Sequence, residues 1–502
     1  MSHKARPSGG QSFVEKPIKN RRFPAKARGR LLPCARKKNG CARRTRFGPR
    51  VAKWTQVALR EGWPETPEWC WPETSELSTL RKPLRLAIRP QPRGLGYISA
   101  SMAKIVKTHA RAVRTAYEKS RRVEPQPITG REKAAELLGH AFPAYVGRQE
   151  RTAFELMRRS MAEDCSVFLT VSGAMTPAGL HQSCLIPLIQ RGIVSALTTT
   201  GANLYHDAHR VIGHAIREVN PDAGDLALRL ARIIRIYDLG FAEQALLDTD
   251  RLFSAIIRGP EFQRRMTTPE FHNLLGRAMS KLEQSLGVKQ PSLLSTCHRF
   301  GVPIFVGAVQ DGSIFLNVVK LKKLLGDDFK FELDINADIY AMAAIQHYCR
   351  HHFSKKLAIW ILGGGVPKNY TLQGEPLLDQ IFNVPTAGFD IDLQFCVDPV
   401  DNGALSSCPA GEGHTWGKVS VEAVQSGSVY VHCDVTAVFP WLTHALLSDR
   451  QMRRKPRRLM DYLPEAIGYL DRDVEKRRPA LLETINWSGR ELKNGRHQVF
   501  VR

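Results

Sequence analysis

Leu357-Ala358-Ile359-Trp360-Ile361-Leu362-Gly363-Gly364-Gly365 decides the fold. Six apolar residues in a row followed by three glycines read as a short strand, buried on both faces, that ends in a tight turn. The pattern recurs along the chain. Apolar residues Phe154, Met157 and Met161 follow a helical period, and the partly β-branched run Cys165 to Val171 comes directly after them. Ile193 to Leu197 predicts a strand running into Thr198-Thr199-Thr200-Gly201, long helical stretches fill Leu226 to Leu286, and Val302 to Val309 predicts a further strand. Short buried strands alternating with helices predict an α/β fold, a Rossmann-like parallel sheet flanked by helices, in a single large domain spanning 102–450. Ligands of such sheets lie beyond the carboxyl ends of the strands, where these turns fall.

Composition sets the bounds around this core. The 502 residues carry a formal charge of +25, but residues 1–101 alone hold 23 Lys/Arg against 6 Glu, net +17, so the remainder is mildly basic at +8. That first segment mixes basic clusters with Pro, Gly and Trp and has no sustained apolar period, so it is expected to be a disordered extension. Met102 opens a clean helical pattern and is an alternative start of translation. Nucleic-acid contact, if any, falls to the basic segment and is not expected to be the main function. The ten cysteines include no CxxC pair, and Cys34 and Cys41 lack the partners of a zinc module, so reduced thiols are expected. No apolar run approaches the ~20 residues of a membrane span, and the start lacks the apolar core of a secretory signal. A cytoplasmic protein without membrane contact is the expectation. After Arg450, Leu463, Ile467, Leu470 and Val474 are spaced for one face of a last helix, followed by a polar tail.

Three turns are rich in glycine and small hydroxyl residues: Ser172-Gly173-Ala174, Thr199-Thr200-Gly201-Ala202-Asn203 and Gly363-Gly364-Gly365. Without Cβ atoms, backbone N–H groups come close to a pyrophosphate, which suits a dinucleotide. None is a full G-x-G-x-x-G, and each alone is equally a tight turn. In His414-Thr415-Trp416-Gly417-Lys418, a lysine stands beside an indole with Glu412 shortly upstream. A lysine shielded from water can lose its proton near neutral pH and attack carbonyls or imines; the alternative is a surface lysine opening a strand from Val419 to Ala423. Asp311 and Asp434 stand at other strand ends, where acids bind cations or ribose and also cap helices. His206, Asp207, His209 and His214 lie within a few helical turns, but no ligand set completes a metal site, and no metal is expected.

The combination resembles the deoxyhypusine synthase family. Thr199-Thr200-Gly201, Asp311-Gly312-Ser313, Leu362-Gly363-Gly364-Gly365-Val366, Glu412…Trp416-Gly417-Lys418 and Asp434…Val438-Phe439-Pro440 stand in that family's order and approximate spacing. The resemblance spans about 300 residues. It implies a homotetramer with active sites shared across subunit pairs, and NAD as the cofactor that oxidises spermidine. Lys418 then matches the lysine that holds the butylimine, Trp416 stacks on the polyamine, and Glu412 holds or deprotonates an amine. Asp311 and Asp434 match cofactor-binding acids, alongside Ser172, Gly173, Thr200, Gly201, Ala202, Gly364 and Gly365 in the turns.

Three positions depart from the family pattern. Paired glutamates that grip cationic amines are Tyr205 and His206 here; a histidine after the triple glycine is Asn369; an acid after Asp311-Gly312-Ser313 is replaced by an apolar residue near Leu316. This pattern is similar to the bacterial deoxyhypusine-synthase-like branch. Homospermidine synthases, which arose in the same family, accept free putrescine. The resemblance therefore implies an NAD-dependent aminobutyl transferase acting on polyamines, with a small amine as acceptor. The His206 imidazole, with an unperturbed pKa of about 6.5, is the candidate base for the incoming amine; the alternative is that Tyr205 and His206 pack at a helix start. The alternatives are deoxyhypusine synthase proper, modifying a protein lysine, and a simple NAD-dependent amine oxidoreductase.

Overall fold

The structure, a computed structural model, describes residues 100–485, with side chains from Thr108 onward. The disorder expected in the basic extension and the loose polar tail thus fall almost wholly outside the described residues. Among those described, six strands form one sheet: β1 (Ser166–Val171), β2 (Val194–Thr199), β3 (Ile304–Phe305), β4 (Leu357–Leu362), β5 (Ile391–Cys396) and β6 (Ser428–His432). All neighbouring pairs are parallel, in the order β3-β2-β1-β4-β5-β6.

The continuous apolar runs are explained by two cores, one on each face of the sheet. Along β1, Val167, Leu169 and Val171 enter one core while Phe168 enters the other; along β4, Ala358, Trp360 and Leu362 alternate with Leu357, Ile359 and Ile361. Successive side chains of a strand point to opposite faces, so a strand covered on both sides has no polar face to show. Helices α1 (Tyr145–Ala162) and α7 (Val435–Ser448) supply residues to the first core, and α5 (Ile335–Tyr348) and α8 (Leu463–Ile485) to the second. Between them in sequence lie α2 (Gly201–Val211), α3 (Glu243–Ile257), α4 (Ser313–Leu325) and α6 (Gly365–Leu372). Trp360 is fully buried, with its indole N–H donating to Ser160 Oγ at 3.3 Å.

Three expectations are corrected. The strand foreseen over Val302 to Val309 is limited to Ile304–Phe305, since Pro303 has no N–H to donate and the chain turns at Gly307, packed under the Tyr370 ring. The stretch Leu226 to Leu286 is not continuously helical: after the short helix Asp225–Leu230, Ile233–Ile236 and Leu239–Ala242 pair as an antiparallel hairpin, and the longer helices are Glu243–Ile257 and Thr268–Leu286. Three β-branched isoleucines and a turn at Tyr237, whose φ is +51°, override the helical period. Val419 to Ala423 forms no strand beyond a single bridge from Val419 to Phe389. Ser420 Oγ accepts from Ala423 N at 3.2 Å, turning the chain into a helical segment at once.

Candidate active site

The chain adds β2 and β3 on one side of β1 and then returns to lay β4 on its other side. At such a reversal the loops leaving the two central strands diverge and open a crevice. The loops concerned are Ser172-Gly173 after β1 and Gly363-Gly364-Gly365 after β4. They are tied together: Ser172 Oγ donates to Leu362 O at 3.1 Å and accepts from Gly364 N at 3.3 Å. A Cβ on Gly363, where φ is +85°, would lie 1.9 Å from Ser172 Oγ, and one on Gly364 would lie 2.7 Å from Ser406 O. Thr200 caps α2 by accepting from Asn203 N and donates to Gly173 O at 2.6 Å. Buried Asn203 joins the same two loops, its Oδ1 accepting from Met175 N at 2.7 Å. On the far side, Gly201 and Gly312 approach so closely that either Cβ would fall within 2.9 Å of the other's Cα. That contact brings the Asp311-Gly312 turn against the start of α2, beside Ala202. Of the foreseen cofactor-binding residues, Asp434 is the one not gathered here: it stands after edge strand β6 and caps α7 by accepting from Thr436 N at 2.9 Å.

Lys418, Trp416 and Glu412 line one cavity of about 780 Å³ together with Asn369, Lys368 and Cys408. The backbone of Lys418 is fixed by Phe389 N donating to its carbonyl at 3.0 Å. Its Nζ donates to Asn369 Oδ1 at 2.9 Å and stands 5.7 Å from the Trp416 ring centroid. The Trp416 indole is half-exposed, and the residue's backbone carbonyl accepts from Gln380 Nε2 at 3.0 Å. Partial burial pushes the Lys418 pKa down, and the charge of Lys368 adds to this, while Cys408 and Glu412 oppose it. A lysine so placed supplies more of the uncharged, nucleophilic amine near neutral pH.

The sequence reading missed Lys368 and its partners. Lys368 is buried, with Nζ donating to Gln394 Oε1 at 2.7 Å, Cys408 O at 2.8 Å and Ser406 O at 3.3 Å. Three acceptors offset the cost of burying an ammonium, although burial still lowers its pKa. Asp392, buried on β5, has its pKa raised to about 6 by desolvation, against the pull of Lys368. The available signal was the alternation Asp392-Leu393-Gln394 inside an otherwise apolar strand, where acid and amide share one face.

Tyr205 and His206 stand elsewhere and do not line the Lys418 cavity. The Tyr205 hydroxyl donates to Asp250 Oδ1 at 2.8 Å, and its ring stacks on Phe253 at 6.1 Å. His206 Nδ1 is 3.0 Å from His209 Nε2, and Phe241 packs against both rings. Burial lowers the His206 pKa to about 4 and the His209 pKa to about 3, so both rings are neutral at pH 7. Leu316 is exposed on α4. Among the described residues no three His, Cys, Asp or Glu side chains form a group able to hold a metal, and no helix is long and apolar enough to cross a membrane.

Residues 137–446 match the family model for deoxyhypusine synthase. The chain is 37% identical to a deoxyhypusine synthase-like protein of Nostoc punctiforme, over 66% of this chain and 84% of the relative. It is 34% identical to a protein of the same description from a second Nostoc strain, over 74% of this chain and 95% of the relative. The chain belongs to the deoxyhypusine synthase family.

Proposed function

We propose that the protein is an NAD-dependent aminobutyl transferase that takes its group from a polyamine, carries it as an imine on Lys418 and delivers it to a small free amine. The observation that carries this reading is the cavity in which Lys418 is partly desolvated, held by Asn369 and flanked by Trp416 and Glu412. The loops at the β1/β4 reversal fit a dinucleotide, because Gly363 and Gly364 leave no room for a side chain and the N-terminus of α2 faces the same edge. Ser172, Gly173, Thr200, Gly201, Ala202, Asp311, Gly364 and Gly365 would hold it, and Asp434 would serve a site completed by a second subunit of a homotetramer. The chemistry NAD supplies when bound is reversible hydride acceptance.

The rest falls to the chain's own side chains. Glu412 takes a proton from the donor ammonium. Trp416 holds the remaining positive charge against its ring face. The uncharged Lys418 amine adds to the oxidised donor carbon and expels the departing amine; the acceptor amine then displaces Lys418 by the reverse sequence. Lys368 adds to the lowering of the Lys418 pKa that burial begins, and it anchors the Ser406–Cys408 loop that lines the same cavity. His206, half-buried and neutral, is not assigned the role of base, and Glu412 takes it.

A small acceptor is favoured because the segment carrying Tyr205 and His206 offers no anionic grip. The phenol is committed to Asp250 and the imidazole to His209. Purified protein incubated with NAD, spermidine and, separately, putrescine or a hypusine-site protein should form a free polyamine product by mass and leave the protein lysine unmodified. Efficient protein modification with no free product would return the chain to deoxyhypusine synthesis, and net accumulation of NADH would indicate a plain oxidoreductase.

A further inference from the structure

A second cavity of about 860 Å³ lies outside the site just described, between α4, the start of α5 and the turn after β3. Its volume is that of a small-molecule pocket, for which about 300–1,000 Å³ is usual. The walls are apolar: Val306, Val309, Phe315, Val318, Phe331 and Leu333. The inner end is polar but closed on itself. The Asp338 carboxylate accepts from Thr268 N at 2.6 Å and from the Tyr370 hydroxyl at 2.5 Å, so it makes little demand for a charged partner. The mouth is different. Lys322 and Lys323 stand there, exposed, while the nearby Glu332 and Asp334 share Arg265 at 2.8 and 3.4 Å; two lysines thus meet one unmatched acidic charge, and the rim is net positive. Lys322 spends one N–H on Phe329 O at 3.2 Å, and an ammonium has three.

We infer that this cavity binds an amphipathic monoanion, with its apolar body against Phe315, Val318 and Phe331 and its anionic group at Lys322 and Lys323. The chemistry is the reverse of that at Lys418, where cationic amines are handled. The two cavities share Gly307 and Tyr370 as a common wall without sharing a charged residue. Aliphatic and aromatic acids meet the same description.

The test is a fluorescence titration of the full chain with the naphthalene sulfonate dye ANS, at two protein concentrations tenfold apart. Wild type should bind about one dye per chain at either concentration. Val319→Trp, at a half-exposed rim position, should fill the mouth and abolish that binding without disturbing the core. The double variant Lys322→Glu with Lys323→Glu should weaken it about tenfold or more, as loss of charge-assisted hydrogen bonds does, and Lys418→Arg should leave it as in wild type. Decanoate or 2-naphthoate should displace the dye, the more effective of the two identifying an aliphatic or an aromatic ligand, and decylamine should not. Wild-type affinity in both rim variants, or displacement by decylamine as readily as by the acids, would overturn the assignment. Loss of dye binding at the higher protein concentration would overturn it too, since a second copy of the chain would then be covering the mouth.

Discussion

The wall around Lys418 and the helix that starts at Thr200 began from the same expectation of active-site chemistry, and the fold treats them in opposite ways. Around Lys418 the polar groups converge on a cavity: Asn369 on the amine, Trp416 at its side, Lys368 held by two backbone carbonyls behind it. On α2 they are turned inward and spent on packing, Tyr205 on Asp250 and His206 on His209. A polar side chain whose hydrogen bonds are satisfied within the core is held for stability, whereas one facing a cavity keeps capacity for a ligand. The difference teaches that the side chains around Lys418 keep capacity for a ligand, while those of the Tyr205–His206 segment are spent on contacts within the fold.

The largest effect should come from the first region. Lys418→Arg should lower transfer by about a thousandfold or more, since a guanidinium stays charged and forms no imine, while dinucleotide binding measured by fluorescence quenching is retained. Appreciable turnover in that variant would erase the contrast between the two regions. Lys368→Met should have a smaller effect of a distinctive kind. With its positive charge gone, the Lys418 pKa rises, so the acidic limb of the pH–rate profile should move to higher pH along with a drop in kcat. A uniform loss at every pH would make Lys368 a structural clamp only.

The second region should answer in stability instead of rate. Tyr205→Phe removes a hydrogen bond to a carboxylate and should cost about 1–3 kcal/mol in denaturant unfolding, with transfer close to wild type; a selective fall in kcat would show that α2 takes part in the chemistry. His206→Gln is expected to change least at neutral pH. The folded protein depresses the pKa values of His206 and His209 to about 4 and about 3, below the unfolded value near 6.5. Between those limits the unfolded chain binds more protons, so stability is present above pH 6.5 and is lost as pH falls through about 4. The variant should flatten part of that acid slope, and an unchanged slope would mean that His206 is solvated.

Much of this division could be read from residues, and the parts that could not share a cause. The β1 and β4 runs and their glycine turns were legible because a strand covered on both faces leaves an unbroken apolar signature. The Glu412…Lys418 block was legible as local chemistry. Strand order was not: nothing in the residues after Val171 states that β4 will lie beside β1, and that adjacency creates the crevice. Lys368 was passed over because a lysine on a helix reads as solvated, and only the fold shows three acceptors around its Nζ. Asp434 shows the converse, since an acid just before a helix serves equally as a cap, and within this chain it caps α7. The hairpin at Ile233–Ala242 was hidden because a helical spacing runs across it, while the β-branched isoleucines and the turn at Tyr237 that favour strands went unweighed.

The central claim is that Lys418 carries the aminobutyl group, and chemical trapping tests it most directly. Wild-type protein incubated with spermidine and NAD, reduced with borohydride and digested should show an added aminobutyl mass on the peptide containing Lys418, dependent on both reagents. A label on Lys368 or any other lysine, or none with transfer still proceeding, would contradict the account.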